Sequence, residues 1–136
     1  MTPKALVVAA DPETLEAVAD ILRSLGHEHD EATCQEEARQ LLACSQYTYY
    51  VLDLNIPVRA GRGVPRIQNG ENLLIEIVGG RGTRTEPVIV ISGHGTDDPD
   101  VAVRAMKLGA DDYVTKPFES TGNTLDTAIL LSLIHI

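Results

Sequence analysis

Three polar residues with complementary chemistry each follow a short apolar run in the sequence. They are Asp53, Ser92 and Lys116. A carboxylate can accept a phosphoryl group, a hydroxyl can donate to phosphate oxygens, and an ammonium group can neutralise the charge that develops during transfer. If the three apolar runs are neighbouring strands of one sheet, these residues predict a phosphoryl-transfer site.

The elements that must position this site follow from the alternation of apolar patterns along the chain. Strands are predicted near residues 6–8, 28–32, 49–54, 88–91 and 113–115. Helices are predicted between Asp11 and Gly26 and over about 36–43, 72–78 and 98–108. Strands that alternate with helices imply right-handed crossovers and a parallel sheet covered on both faces. The expected fold is therefore a doubly wound α/β domain, whose active crevice lies at the carboxyl ends of the strands.

Length and charge restrict the classes of function. The chain has 136 residues, of which 43% are hydrophobic, and this suits one compact domain. A formal net charge of −9 disfavours direct binding to nucleic acid or to an anionic membrane surface. No apolar run approaches the roughly 20 residues of a membrane span, and the first residues lack the pattern of a secretion signal. We therefore expect a cytoplasmic protein without a membrane partner.

The cysteines and histidines offer no metal site by their spacing. Cys34 and Cys44 are too few for a disulfide framework or a thiolate site, so ordinary thiols are expected. His27, His29 and His94 lack the spacing of metal ligands. We interpret these histidines as surface or turn residues.

Three motifs, in order along the chain, resemble the response-regulator receiver family of two-component signalling. They are VLDLNIP at residues 51–57, VISGHG at 90–95 and AMKLGADDYVTKPF at 105–118. The resemblance covers most of the sequence, from Leu6 to Phe118. It implies a flavodoxin-like receiver fold with a five-stranded parallel sheet in the order 2-1-3-4-5, in a domain of residues 3–130.

The resemblance also implies a function and roles for individual residues. A histidine kinase or phosphotransfer protein would transfer a phosphoryl group to Asp53, and Lys116 would contact the resulting acyl phosphate. Ser92 and Tyr113 would reorient together, and the bond between Lys116 and Pro117 would be cis. The chain would act as a signalling switch and not as a metabolic enzyme, with self-phosphorylation and dephosphorylation as its only chemistry. An output domain in a longer regulator and a homodimer are further expectations of the family.

One departure from the family concerns the magnesium site. The family ends its first strand with adjacent acidic residues that bind Mg²⁺, but Ala9 and Ala10 stand at those positions. The remaining ligands are Asp53, the backbone carbonyl of Asn55 and, as a third candidate, Asp11. The Asp-Pro context of Asp11 favours a helix cap. We expect weak Mg²⁺ binding and slow or absent phosphorylation, so a degenerate receiver that acts through protein contacts alone stays open as the alternative.

A second departure is the loop over residues 58–69, which is longer than the family's usual loop. It carries Arg59, Arg62 and Arg66. A solvated insertion is the simpler interpretation, because loops beside a site tolerate added length. The sharper hypothesis is that a guanidinium group reaches the pocket and partly replaces the missing metal charge.

The end of the chain and a third class of function complete the sequence-based expectations. The final helix should follow Phe118, although residues 119–126 are poor helix formers. Residues 131–136 resemble a translated sequencing adapter, so we expect a non-native tail there. A flavodoxin-like cofactor-binding protein would need a phosphate-cradling loop after the first strand, but residues 9–12 contain no glycine.

Overall fold

A computed structural model of the chain describes residues 2–80, 86–92, 99–115 and 124–134. Within these ranges five strands alternate with five helices. The strands are β1 (Lys4–Val8), β2 (Glu28–Ala32), β3 (Tyr49–Asp53), β4 (Val88–Ser92) and β5 (Asp112–Thr115). The helices are α1 (Pro12–Ser24), α2 (Gln35–Cys44), α3 (Ile67–Gly80), α4 (Pro99–Lys107) and α5 (Thr124–Ile134).

The strands form one parallel sheet in the order β2-β1-β3-β4-β5. This confirms the predicted doubly wound fold and its strand order. The order reverses beside β1, where the chain leaves β2 and crosses to β3 on the other side. Such a reversal opens a crevice at the carboxyl ends of the strands, and this is where ligands bind in open α/β sheets.

The core has two layers because successive side chains of a strand point to opposite faces of the sheet. Leu52 packs on one face in a cluster that includes Leu73 of α3. Val51 packs on the other face with Leu22 of α1 and Ile129 of α5. All five of these apolar side chains are fully buried, which stabilises the fold by about 1.5–3 kcal/mol per side chain. The central strands are thereby fixed from both sides.

The predicted start of α3 was wrong, because the helix begins at Ile67 and not at residue 72. Asn69 and Gly70 resemble loop residues in sequence, since both have low helix propensity. In the structure the Gly70 amide donates to the Leu54 carbonyl at 3.0 Å, so the backbone contact outweighs propensity. The inserted loop therefore covers residues 58–66 and is shorter than expected.

The last helix is present where the sequence pattern was weak. Leu125, Ala128 and Ile129 of α5 are buried against the α1 face of the sheet. Residues 131–134 continue the helix, and the side chains of Leu131 and Ile134 are exposed. Residues 116–123 and 135–136 lie outside the described ranges. The interpretation of residues 131–136 as an adapter-derived tail stays a prediction.

Cysteines and histidines of the described chain have ordinary structural contacts. Cys34 is buried at the N-cap of α2, whereas Cys44 is exposed. The His27 ring lies 2.8 Å from the Tyr49 hydroxyl, and His29 pairs with a nearby glutamate. His94 lies outside the described residues. In the part of the chain that the structure covers, no helix combines the length and the apolar character that crossing a membrane requires.

Gly70→Ala should destabilise the fold strongly. A Cβ atom at Gly70 would lie 2.2 Å from the Leu54 backbone, which cannot give way as a side chain could. We expect a loss of about 3 kcal/mol in the free energy of unfolding, measured by chemical denaturation. Gly79→Ala in the same helix is the matched control, because nothing lies within 4 Å of its Cβ position. The control should gain about 0.5 kcal/mol, and equal effects of the two substitutions would refute the steric explanation.

Candidate functional site

Asp53 is the last residue of β3 and lies at the carboxyl edge of the sheet. Strand β3 is paired with β1 on one side and with β4 on the other, so its position is fixed by two ladders. The Asp53 side chain is only 5% exposed. Its Oδ1 atom accepts a hydrogen bond of 3.0 Å from the Asn55 amide. The fold therefore presents a carboxylate whose orientation is set by the loop that follows it.

Ser92 ends the neighbouring strand β4 at the same edge. Asp53 is in register with Ile91, so Ser92 stands one residue further along. Ser92 is 7% exposed, and adjacent strands lie about 4.8 Å apart. The acid and the alcohol therefore stand at the ends of adjacent strands at the same edge of the sheet, and their direct contact stays a prediction.

Lys116, the third predicted member, lies outside the described residues, as do Pro117 and the predicted cis bond. Thr115, which precedes Lys116, pairs with Ser92 across β4 and β5. The lysine therefore directly follows a residue at the same edge of the sheet. Its contact with the site stays a prediction.

Tyr113 shares a face of the sheet with Ser92. Tyr113 is in register with Val90 on β4, and its ring packs against the buried cluster that contains Val90. Ser92 stands two residues beyond Val90, and residues two apart in a strand point to the same face. Ser92 and Tyr113 are therefore diagonal neighbours on one face of the sheet, and the coupled movement of their side chains stays a prediction.

Most backbone carbonyls in the loop after Asp53 accept hydrogen bonds from the starts of α2 and α3. The carbonyls of Leu54 and Ile56 accept from the Gly70 amide at 3.0 Å and from the Asn69 side-chain amide at 2.9 Å. The next two carbonyls, at positions 57 and 58, accept from the first amides of α2 at 3.0 Å each. Across the described residues, the Asn55 carbonyl alone in this run of five receives no donor. That oxygen is the one predicted to bind a metal ion.

The end of β1 supplies no acidic side chain to this edge. The β1–β3 pairing ends at Val8 and Leu52, so Ala9 follows as the neighbour of Asp53. Asp11 is the N-cap of α1, as predicted, and its carboxylate oxygens accept from the Glu13 amide at 3.2 Å and from the hydroxyl of α1's buried threonine at 3.0 Å. The Asp11 carboxylate is thus engaged in starting the helix.

The arginines of the inserted loop are exposed, and one of them is paired away from the site. Arg59 forms a salt bridge of 3.1 Å with Glu36 on α2. Within the described ranges, neither Arg62 nor Arg66 pairs with an acidic side chain. The structure therefore does not place a loop guanidinium against Asp53.

The beginning of α2, which receives this loop, carries a perturbed carboxyl group. The Thr33 hydroxyl and amide donate to a Glu37 carboxylate oxygen at 2.6 and 2.7 Å. The hydrogen bond from the Thr33 hydroxyl, followed by that from its amide, holds the pKa of Glu37 below its usual value. Glu37 therefore stays ionised and caps the helix start that contacts the loop.

Comparison with known proteins identifies the family. Residues 5–129 match the response regulator receiver domain. The chain belongs to the response-regulator receiver family. It is 36% identical over 114 residues to the transcriptional regulatory protein KdpE of Mycobacterium tuberculosis (strain CDC 1551 / Oshkosh), covering 83% of this chain and 44% of that protein. The chain therefore spans less than half the length of this relative.

Solved structures of receivers share the fold. A response regulator receiver domain protein from Clostridium thermocellum has a TM-score of 0.74 at 27% identity, with 98% of this chain and 95% of that chain covered. A CheY-like receiver domain protein from Methanospirillum hungatei JF-1 has a TM-score of 0.80 at 21% identity, with 99% and 96% covered. The fold of this receiver is thus the one that the motifs implied.

The Mg²⁺ that the family implies fits this receiver only in part. The chain offers the Asp53 carboxylate and the free Asn55 carbonyl oxygen, but Ala9 and Ala10 add no ligand. Nowhere in the described residues do three His, Cys, Asp or Glu side chains form a group that could hold a metal ion. Mg²⁺ accepts waters as its remaining ligands, but its affinity depends on the number of charged ligands. The charge that the chain offers the ion at this edge is therefore that of Asp53, because the Asp11 carboxylate is engaged in the α1 cap.

Two residues that support the site were not singled out from the sequence. Asn69 falls within the predicted loop over residues 58–69, and Gln35 precedes the predicted start of α2. In the structure Gln35 is only 4% exposed and its side chain donates to the Asn69 carbonyl at 3.1 Å. Hydrophobic periodicity carries no signal for a buried amide side chain.

Ala10→Asp should strengthen Mg²⁺ binding by about tenfold, because it adds a charged oxygen ligand where the family has one. Ala10 is the suitable position since it is half-buried, whereas Ala9 is fully buried and a charge there would destabilise the fold. The affinity is measured by magnesium titration followed by NMR. Ala10→Asn is the uncharged control of nearly equal size. Sub-millimolar binding by the unmodified receiver would contradict the interpretation that its metal site is weak.

Proposed function

We propose that this receiver is a phosphorylation-controlled switch that accepts a phosphoryl group on Asp53 from a histidine kinase or a phosphotransfer protein. One observation carries the proposal: a buried carboxylate, oriented by the Asn55 amide, ends β3 at the same edge of the sheet where Ser92 ends the adjacent strand β4. Family membership alone would not distinguish an active receiver from an inactive one. The retained geometry around Asp53 favours an active site.

In the proposed reaction, an oxygen of the Asp53 carboxylate attacks the phosphorus of a phosphohistidine. The new O–P bond forms as the N–P bond breaks, and the electron pair of that bond stays on the imidazole nitrogen. Ser92 donates a hydrogen bond from its hydroxyl to a phosphoryl oxygen, and the Tyr113 side chain on the same face of the sheet reorients with it. Lys116 would balance the negative charge of the acyl phosphate, as the family resemblance implies. Such stabilisation is most effective at a buried site, where water does not screen it.

A degenerate receiver is the second candidate. It is favoured by the alanines at positions 9 and 10 and by the engagement of Asp11 in the α1 cap. In this case the domain would signal through protein contacts without phosphorylation. The two candidates share the fold and differ only in the chemistry of Asp53.

The wider setting is also part of the proposal. Because the chain matches 44% of a curated transcriptional regulatory protein, we infer that an output domain belongs to the same regulator. A histidine kinase that uses ATP would place the reaction in the cytoplasm. Homodimer formation would transmit the phosphorylated state to the output domain. Beyond self-phosphorylation and dephosphorylation, no enzymatic activity is proposed.

Incubation with acetyl phosphate and Mg²⁺ should add one phosphoryl group to the receiver, as measured by intact-mass spectrometry. The adduct should disappear in Asp53→Asn, because the amide cannot act as the nucleophile. Asp20→Asn, which changes an exposed aspartate of α1, is the matched control and should be labelled at the normal rate. A receiver that acquires no phosphoryl group at any Mg²⁺ concentration would be degenerate.

The loop arginines can be tested in the same assay. If a guanidinium group supplies charge to the phosphodonor, Arg62→Ala combined with Arg66→Ala should slow labelling on the order of tenfold at low salt. Arg23→Ala, which removes an exposed arginine of α1 outside the loop, is the internal control. Equal labelling of all variants would favour the simpler interpretation of a solvated insertion.

A further inference from the structure

We propose that Gln35 is a positioning residue for the phosphoacceptor, holding the loop after Asp53 through Asn69. The assignment rests on the proposed function of Asp53. Gln35 belongs to the first turn of α2, on an element that carries none of the residues predicted to take part in the reaction. Its effect on Asp53 would therefore be indirect.

Gln35 is a buried polar residue, and its contacts account for that burial. Its side-chain nitrogen donates to the Asn69 carbonyl at 3.1 Å, and its backbone amide donates to the Pro57 carbonyl at 3.0 Å. A buried amide side chain is costly unless it is hydrogen-bonded. One residue of α2 thus contacts the backbone on both sides of the inserted loop, at Pro57 before it and at Asn69 in the first turn of α3.

Asn69 passes this constraint to the backbone beside Asp53. While its carbonyl accepts from Gln35, its side-chain amide donates to the Ile56 carbonyl at 2.9 Å. The next residue, Gly70, donates to the Leu54 carbonyl at 3.0 Å. The carbonyls on both sides of Asn55 are therefore fixed by the start of α3.

The inserted loop is joined to α2 by two further contacts. The Glu36 amide donates to the Val58 carbonyl at 3.0 Å, and the Glu36 carboxylate pairs with Arg59 at 3.1 Å. The bond from the Glu36 amide satisfies a donor that a helix start leaves without an intrahelical partner. The insertion is thereby part of the α2 cap, so a shift of α2 would move the loop.

Asn55 links the contacts from α2 and α3 to the phosphoacceptor carboxylate of Asp53. Its amide orients the Asp53 carboxylate, and it lies between two carbonyls that the start of α3 holds. Loss of the Gln35 side-chain bond would let the segment from Leu54 to Pro57 relax and turn the Asn55 amide. A nucleophile displaced by a fraction of an ångström to an ångström loses reactivity even when the fold is intact.

The test compares Gln35→Met with Gln40→Met in the full chain. Methionine keeps the volume of glutamine and removes its hydrogen bonds, and Gln40 is an exposed glutamine on the same helix. Two quantities are measured: the rate of labelling by acetyl phosphate and the NMR resonance of the Asn55 amide. We expect Gln35→Met to slow labelling about tenfold and to shift the Asn55 resonance, with Gln40→Met like the wild type.

A second variant, Asn69→Asp, separates positioning from a general loss of stability. It keeps the backbone carbonyl that Gln35 contacts and removes the donor to Ile56, so it should reproduce both effects. Slower labelling without a shift of the Asn55 resonance, or a shift without slower labelling, would overturn the assignment. So would wild-type behaviour of Gln35→Met. If the wild-type chain is not labelled, the proposed function of Asp53 is refuted. If the wild type and Gln35→Met are labelled at equal rates, the proposed function stands and only the role of Gln35 is refuted.

Discussion

The site depends on the burial of β3 between two parallel neighbours. Strand β3 pairs with β1 and β4, and all five of its residues are buried. Apolar side chains cover both faces of the sheet, so the strand can shift neither along its length nor out of the layer without exposing core residues. Asp53 is the last residue of that strand, and its position is therefore a direct consequence of core packing.

The site at this edge is formed by the ends of the strands and by the loops that follow them. β3 and β4 end at a carboxylate and a hydroxyl, and Tyr113 approaches Ser92 along the shared face. The loop after Asp53 is held in a different way. Hydrogen-bond donors from α2 and α3 fix its backbone, and the ladder of the sheet does not. The orientation of the Asp53 carboxylate thus depends both on a rigid strand and on a loop that two helices hold by hydrogen bonds.

The expected departures from the family lie on two elements, the end of β1 and the loop that contacts α2. Ala9 and Ala10 remove acidic ligands on the β1 side, while the insertion adds a structured segment on the α2 side. Arg59 and Glu36 connect that segment to α2. The charge of Arg59 is therefore paired with the first turn of this helix. We therefore expect the chain to differ from the family both in how it binds a cation and in how the region around the phosphoacceptor is held.

Sequence alone determined the layers and the placement of Asp53 and Ser92 at the ends of strands, because apolar periodicity reports burial and strand ends. The strand order followed from the resemblance of the ordered motifs to the receiver family. The sequence also identified Asp11 as a cap. Only the tertiary structure decided the start of α3, where the close approach of Gly70 to Leu54 outweighs helix propensity. It likewise revealed the roles of Gln35 and Asn69, since a polar residue's burial depends on partners distant in sequence, and no local pattern encodes them.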